Sequence, residues 1–295
     1  MIFHKTVKSV LNRHQKRDSW FLDDYSINPY EGCGFNCQYC YVRGSKYGEH
    51  LSEKITLKND AAAILDRQLT NRARKGQYGI IAVGSSTDAY MQVEQELLQT
   101  RALLNVILKN RFPVFISTKS TLITRDIDLL REIDQSAILP HDLQSKLGRG
   151  VILSFSISTL DENIARQLEP GAPPPLQRLD TMQKFSEAGF LVGLNALPLL
   201  PMISDTDASL SKIVQLAKQY GANFLLAGGL TLFGEQPGDS KTLYYRFLQQ
   251  YFPDLCEQYI QLFGSGFSPN RQYQIALKKK IEKLCLAYHL KNSII

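Results

Sequence analysis

Three cysteines crowd into eight residues, Cys33-Gly34-Phe35-Asn36-Cys37-Gln38-Tyr39-Cys40, with the spacing C-x3-C-x2-C. Thiolates this close reach three corners of one iron–sulfur cluster, whereas a sealed cluster takes a fourth cysteine. No fourth cysteine lies nearby. Cys256 and Cys285 stand alone inside helical patterns, where a small buried hydrophobe is the expected role. A cluster held by three ligands leaves one iron open, much as a catalytic zinc keeps a free position, so the missing ligand is itself a functional signal. Gly32 and Gly34 flank Cys33 and let the backbone turn tightly enough to converge the sulfurs. The competing reading is a zinc knot, or a structural cluster completed by a distant Cys or His. Zinc sites usually show a second Cys-x2-Cys pair downstream, and only Cys37 and Cys40 stand in that relation. The odd total of five cysteines, three of them clustered, argues against a disulfide framework.

The residues around this loop must be positioned by a scaffold, and the pattern of that scaffold is legible. Residues 25–30 read as a first strand leading into the loop. After it, apolar strands alternate with amphipathic helices, the signature of βαβ units around a parallel sheet. The expected strands are 78–83, 113–117, 151–157, 191–197 and 223–227. The expected helices are 60–74, capped by Asn59 or Asp60, then 94–110, 125–133, 176–188 and 207–220. Residues 134–149 read as connecting material. Six such units with right-handed crossovers make an α/β fold, a partial (βα)6 TIM-like barrel that does not fully close. From about Lys241 onward, helices rich in Tyr, Phe and Leu are expected to pack on the open side. The implied division is an N-terminal extension at 1–24, a core at 25–235 and a C-terminal helical region at 236–295.

Composition sets outer limits. The chain has 295 residues, 44% hydrophobic and 21% charged, with no apolar run long enough to cross a bilayer. The stretch Met1–Trp20 carries Lys5, Lys8, Arg13, Lys16 and Arg17 but no apolar block with a cleavage site. The expectation is a cytoplasmic protein. A net charge of +6 suits a polyanionic partner such as nucleic acid, but without a basic patch in the sequence a solvated basic surface is the plainer reading.

The C-x3-C-x2-C motif, with an aromatic residue before its third cysteine, resembles that of the radical S-adenosylmethionine (SAM) superfamily. Flanking segments are similar to the spore photoproduct lyase-like, or DNA repair photolyase-like, branch. These are Asn28-Pro29-Tyr30-Glu31-Gly32-Cys33, Ser86-Thr87-Asp88-Ala89-Tyr90, Ser117-Thr118-Lys119-Ser120, Phe155-Ser156-Ile157-Ser158 and Glu169-Pro170-Gly171. The resemblance spans about residues 25–230 and implies a [4Fe-4S] cluster at Cys33, Cys37 and Cys40. It further implies reductive SAM cleavage to a 5′-deoxyadenosyl radical that abstracts hydrogen, with a flavodoxin or ferredoxin-type electron donor. The substrate class it suggests is nucleic acid, with a small metabolite or peptide as the alternative. A protein of another class, binding nucleic acid beside a structural metal loop, is the rival.

By the same likeness Lys119, just past the third strand, is assigned to the SAM carboxylate. Ser85, Ser86 and Asp88 fall where the SAM amino group is received. Ser156 and Ser158 alternate on the fourth strand, so both face one side and offer hydroxyls to the ribose or carboxylate. Asn195 lies near the end of the fifth strand, and Gly193 beside it is expected to permit close approach by SAM. Tyr39 is expected against the adenine, and Tyr39 and Tyr41 match a tyrosine pair credited with hydrogen relay. Packing is the plain alternative for both. One departure stands out. Gly84-Ser85-Ser86-Thr87 occupies the loop where spore photoproduct lyase has a hydrogen-donating cysteine, and serine holds its O–H hydrogen too tightly to replace it.

Overall fold

The computed structural model describes residues 2–45, 48, 51 and 53–295. Its strands are β1 Ile2–Lys5, β2 Asn12–Arg13, β3 Asp23–Ile27, β4 Tyr30–Glu31, β5 Ile55–Lys58, β6 Ile80–Val83, β7 Val114–Thr118, β8 Val151–Ser156, β9 Leu191–Leu199 and β10 Phe224–Gly229. Six of them, β3 and β6 to β10, pair in parallel and in chain order, and β2 adds antiparallel to the outer edge of β3. Among the described residues the ends of this run do not pair with each other, so the protein is a partial TIM-like barrel left open on one side. A small second sheet, β1-β5-β4, sits ahead of the first helix.

The helices are α1 Ala61–Arg74, α2 Glu94–Leu97, α3 Gln99–Asn110, α4 Ile127–Ser136, α5 Glu162–Leu168, α6 Pro175–Glu187, α7 Asp207–Gln219, α8 Ser240–Tyr251, α9 Cys256–Phe263 and α10 Arg271–Ala287. Alternation along each strand divides the apolar residues into two cores. Ile81, Val83, Val114, Ile116, Leu153, Val192 and Leu194 face outward beneath the helices. Ile80, Ala82, Phe115, Ile152, Phe224 and Leu226 face inward and fill the lower barrel. Toward the C-terminal strand ends this inward layer becomes polar, and that change makes the site.

Several expectations need adjustment. The helix expected over 94–110 breaks at Leu98, whose φ is 52°. The cause is Glu94, fully buried, whose carboxylate accepts from Thr100 N at 2.8 Å and Arg101 N at 3.2 Å and so caps α3 afresh. Asp60 does stand at the N-cap of α1, but with no side-chain capping bond, and the Asn59 side chain is turned to His4 instead. The connecting segment 134–149 is not idle, because Leu143 and Leu147 plug the lower barrel. The first barrel strand is β3, ending at Ile27, while Tyr30 and Glu31 belong to the small sheet.

At the C-terminus, α10 lays Leu277, Ile281 and Cys285 on the outer core beside β10. Cys285 is buried and Cys256 half-buried. Tyr244, Phe247, Tyr259 and Phe263 of α8 and α9 form a separate cluster with Leu168, Leu200 and Tyr39, so these helices also pack against the cysteine loop. Among the described residues no helix is long and apolar enough to cross a membrane.

Candidate active site

The cysteine loop has no regular structure of its own and is shaped by turns. Gly32 adopts φ 88°, and a Cβ there would collide with the Lys54 carbonyl, so the residue type is dictated locally. Gly34 is not left-handed; Asn36, at φ 54°, makes that turn instead. Cys33 N donates to Leu51 O at 2.6 Å, and Arg43 Nε donates to Cys37 O at 3.0 Å. All three thiols are free and line one cavity of about 810 Å³. Burial pushes all three pKa values up, Cys33 to about 11 with Asp88 adding to the rise, while Lys119 opposes it at Cys37 and Cys40. Thiols held this way give their protons up to a metal rather than to water. Among the described residues, no three Cys, His, Asp or Glu side chains gather tightly enough for a single metal ion. Three sulfurs that each take a different iron stand further apart than three on one ion.

The strand ends supply the opposite wall. At inward positions of β7, β8 and β9, Asn195 Nδ2 donates to Ser117 Oγ at 3.1 Å, and the Ser117 and Ser156 hydroxyls are 3.2 Å apart. Asn195 Oδ1 is buried with no partner among the described residues. Lys119 carries its ammonium 5.9 Å above the Tyr39 ring, and no hydrogen bond or ion pair occupies it among the described residues. Burial alone would lower its pKa, but Cys37, Glu169 and Asp88 outweigh that and hold it above the ordinary lysine value. An ammonium and an amide oxygen that line one cavity without partners among the described residues fit a ligand with carboxylate and hydroxyl or amino groups.

Other expected residues converge here with different employment. Asp88 lines the cavity, yet its oxygens already accept from Tyr90 N at 2.9 Å, Thr118 Oγ1 at 2.8 Å and Lys119 N at 2.8 Å. It straps the loop after β6 to the end of β7 and aims Lys119. Ser86 N donates to Asn28 Oδ1 at 2.8 Å and Asn28 Nδ2 donates to Ser85 Oγ at 3.1 Å, leaving both serines at the cavity rim. Ser158 lies past the end of β8, with its hydroxyl 2.7 Å from the Tyr39 hydroxyl, which also donates to Glu169. Tyr41 is 58% exposed and donates to the Ser85 carbonyl. Gly193 does not open space for a cofactor: the Phe224 ring occupies the place its Cβ would take.

The sequence reading missed the cavity wall supplied by the N-terminal extension. His14, Lys16, Arg17, Asp18 and Ser19 line it, with Asp23 of β3. A register shift between Asp23 and Tyr25 turns both Asp23 and Ser26 inward. His14 Nδ1 then stands 3.2 Å from Asp23 Oδ2, and its Nε2 stands 3.2 Å from Ser26 Oγ. The available signal was a pair of aspartates, Asp23 and Asp24, set between the apolar Phe21-Leu22 and Tyr25 at the start of β3.

The profile of the Radical SAM superfamily matches residues 27–217. The chain belongs to the radical SAM superfamily. This radical SAM enzyme therefore depends on an iron–sulfur cluster and SAM, and its chemistry needs a reductant. An uncharacterized protein of Mycobacterium tuberculosis (strain H37Rv) is 25% identical over 296 residues, covering 98% of this chain and 81% of the relative. An uncharacterized protein of Methanocaldococcus jannaschii is 27% identical over 205 residues, 68% of this chain and 70% of that one. The fold is that of a spore photoproduct lyase mutant solved with bound AdoMet and dinucleoside spore photoproduct. That structure superimposes with a TM-score of 0.67 at 16% identity, over 97% of this chain and 79% of the other.

Proposed function

We propose that Cys33, Cys37 and Cys40 bind a [4Fe-4S] cluster whose fourth iron takes SAM, and that the enzyme abstracts hydrogen from a substrate held in the same cavity. When bound, the cluster and SAM supply the chemistry, reductive cleavage to a 5′-deoxyadenosyl radical. The chain's own work is to bind, orient and exclude water. Lys119 pairs with the SAM carboxylate. Ser156 and Asn195 offer hydrogen bonds to ribose and carboxylate, Ser85 and Ser86 form the rim toward the amino group, Asp88 aims Lys119, and Ser158 steadies the Tyr39 hydroxyl. Tyr39 presents its ring beneath Lys119, and Tyr41 closes the rim over Ser85. A flavodoxin or ferredoxin-type protein supplies the electron. The observation that carries the reading is that the three cysteines share one cavity with the vacant Lys119 ammonium and the vacant Asn195 oxygen.

For the substrate, a nucleic acid is favoured by the +6 charge and by the fold shared with a lyase solved with dinucleoside spore photoproduct. Among the described residues the three site cysteines are the only thiols lining the cavity, so repair by a cysteine hydrogen donor of the lyase kind is not part of the proposal. The test is anaerobic turnover with dithionite and deuterated DNA, RNA or small-metabolite pools. Deuterium in 5′-deoxyadenosine from DNA or RNA alone supports the nucleic-acid reading; label from the metabolite pool alone replaces it.

A further inference from the structure

The loop between α5 and α6 grips the cysteine loop along its length. Gln38 N donates to Leu168 O at 2.8 Å, and Gly171 N donates to Phe35 O at 3.1 Å. The Gln92 amide donates to the Gly171 carbonyl from the other side. Gly171 sits so close that a Cβ would collide with the Gly34 carbonyl. At the centre of this grip lies an ion pair with almost no access to water: Glu169 is 2% exposed, Arg178 1%, and they meet at 2.5 Å. Arg178 is anchored by donating from Nε to Pro173 O at 2.7 Å and from Nη1 to Ser156 O at 2.9 Å. Glu169 accepts from the Tyr39 hydroxyl.

A buried pair of this kind is a poor way to gain stability, because desolvating two charges offsets their attraction. Its worth lies in what it holds. Arg178 and the Tyr39 hydroxyl together keep Glu169 ionised: burial would raise its pKa, but Arg178 first, then Lys119 and the two hydrogen bonds, hold it below the ordinary value. Around Tyr39 this leaves Lys119 and Arg178 as the cations that the Glu169 carboxylate answers.

The geometry points to Glu169 as a positioning residue for the cysteine loop. Buttressed by Arg178, it fixes Tyr39, and with it the sulfurs on either side, and supplies one of the negative charges that balance the cations beside the cluster. The inference rests on the reading that Cys33, Cys37 and Cys40 hold that cluster. It assigns no contact with substrate to Glu169.

The test uses reconstituted full-length protein in four forms: wild type, Cys37→Ala, Tyr39→Phe and Glu169→Gln. Tyr39→Phe deletes the hydroxyl without changing any buried charge. Its iron should be lost to an external chelator about tenfold faster, the factor a charge-assisted hydrogen bond commands, with the cluster's midpoint potential unchanged. Glu169→Gln should lose iron faster and also shift the potential to a less negative value, since one negative charge is gone. A mere packing role would leave the potential alone. Wild-type iron loss in both variants overturns the inference while the cluster reading stands, provided Cys37→Ala has lost its iron. Equal iron in wild type and Cys37→Ala overturns both. Should Glu169→Gln fail to fold, Tyr39→Phe decides by itself.

Discussion

Lys119 and Asn195 show how single side chains mark a binding site. Asn195 is held in the middle of β9 and Lys119 just past the end of β7, and each presents an atom without a partner among the described residues. Polar groups left this way beside a cavity are ready for a ligand, because an unmade buried hydrogen bond is costly. Replacing Lys119 with Met should therefore weaken SAM binding by about tenfold to a hundredfold, in line with the loss of one charge-assisted hydrogen bond. Equilibrium dialysis against reconstituted protein measures it, and unchanged SAM affinity with unchanged iron would remove Lys119 from the site. The sequence singled out the cysteines by their spacing and Lys119 by the family resemblance, and the fold brings all four to one cavity. Asp88 was harder to read. Its carboxylate is spoken for by Tyr90, Thr118 and Lys119, partners that only the fold brings near.

At the scale of elements, strand periodicity located every barrel strand to within a few residues, because buried parallel strands read as continuous apolar runs. What it missed is what depends on contacts across the fold. Gly193 looked like an opening for a cofactor and is instead the socket for Phe224. Gly193→Ala should cost about 1–3 kcal/mol by overpacking, read from urea unfolding, and Phe224→Leu in the same chain should recover most of it. Weakened SAM binding that Phe224→Leu does not restore would return Gly193 to the cofactor. The α5–α6 loop makes a pH prediction. Glu169 has its pKa lowered in the folded state, so its contribution to stability is complete above the ordinary glutamate value of about 4.3 and is lost as pH falls through the lower, folded value. Glu169→Gln should be less stable near neutrality and show a flatter fall in thermal midpoint on acidification. A slope as steep as that of wild type would mean the carboxylate does not titrate this way.

The whole molecule is an open barrel whose gap is partly dressed from both termini. From the N-terminus, β2 extends the sheet past β3 and brings His14 to the cavity; from the C-terminus, α10 covers β10. The expected C-terminal helices are there, but the share of the extension in the cavity wall was illegible, because nothing in the order of residues 1–24 says which edge they join. The proposed chemistry requires that three cysteines hold a cluster with a vacant iron. Anaerobic reconstitution with iron and sulfide, followed by metal analysis and SAM cleavage with dithionite, tests it most directly. A brown protein with about four irons per chain that forms 5′-deoxyadenosine is expected, with loss of both properties in Cys37→Ala. A colourless protein with stoichiometric zinc, or a Cys37→Ala variant that keeps its iron and its SAM cleavage, would contradict it.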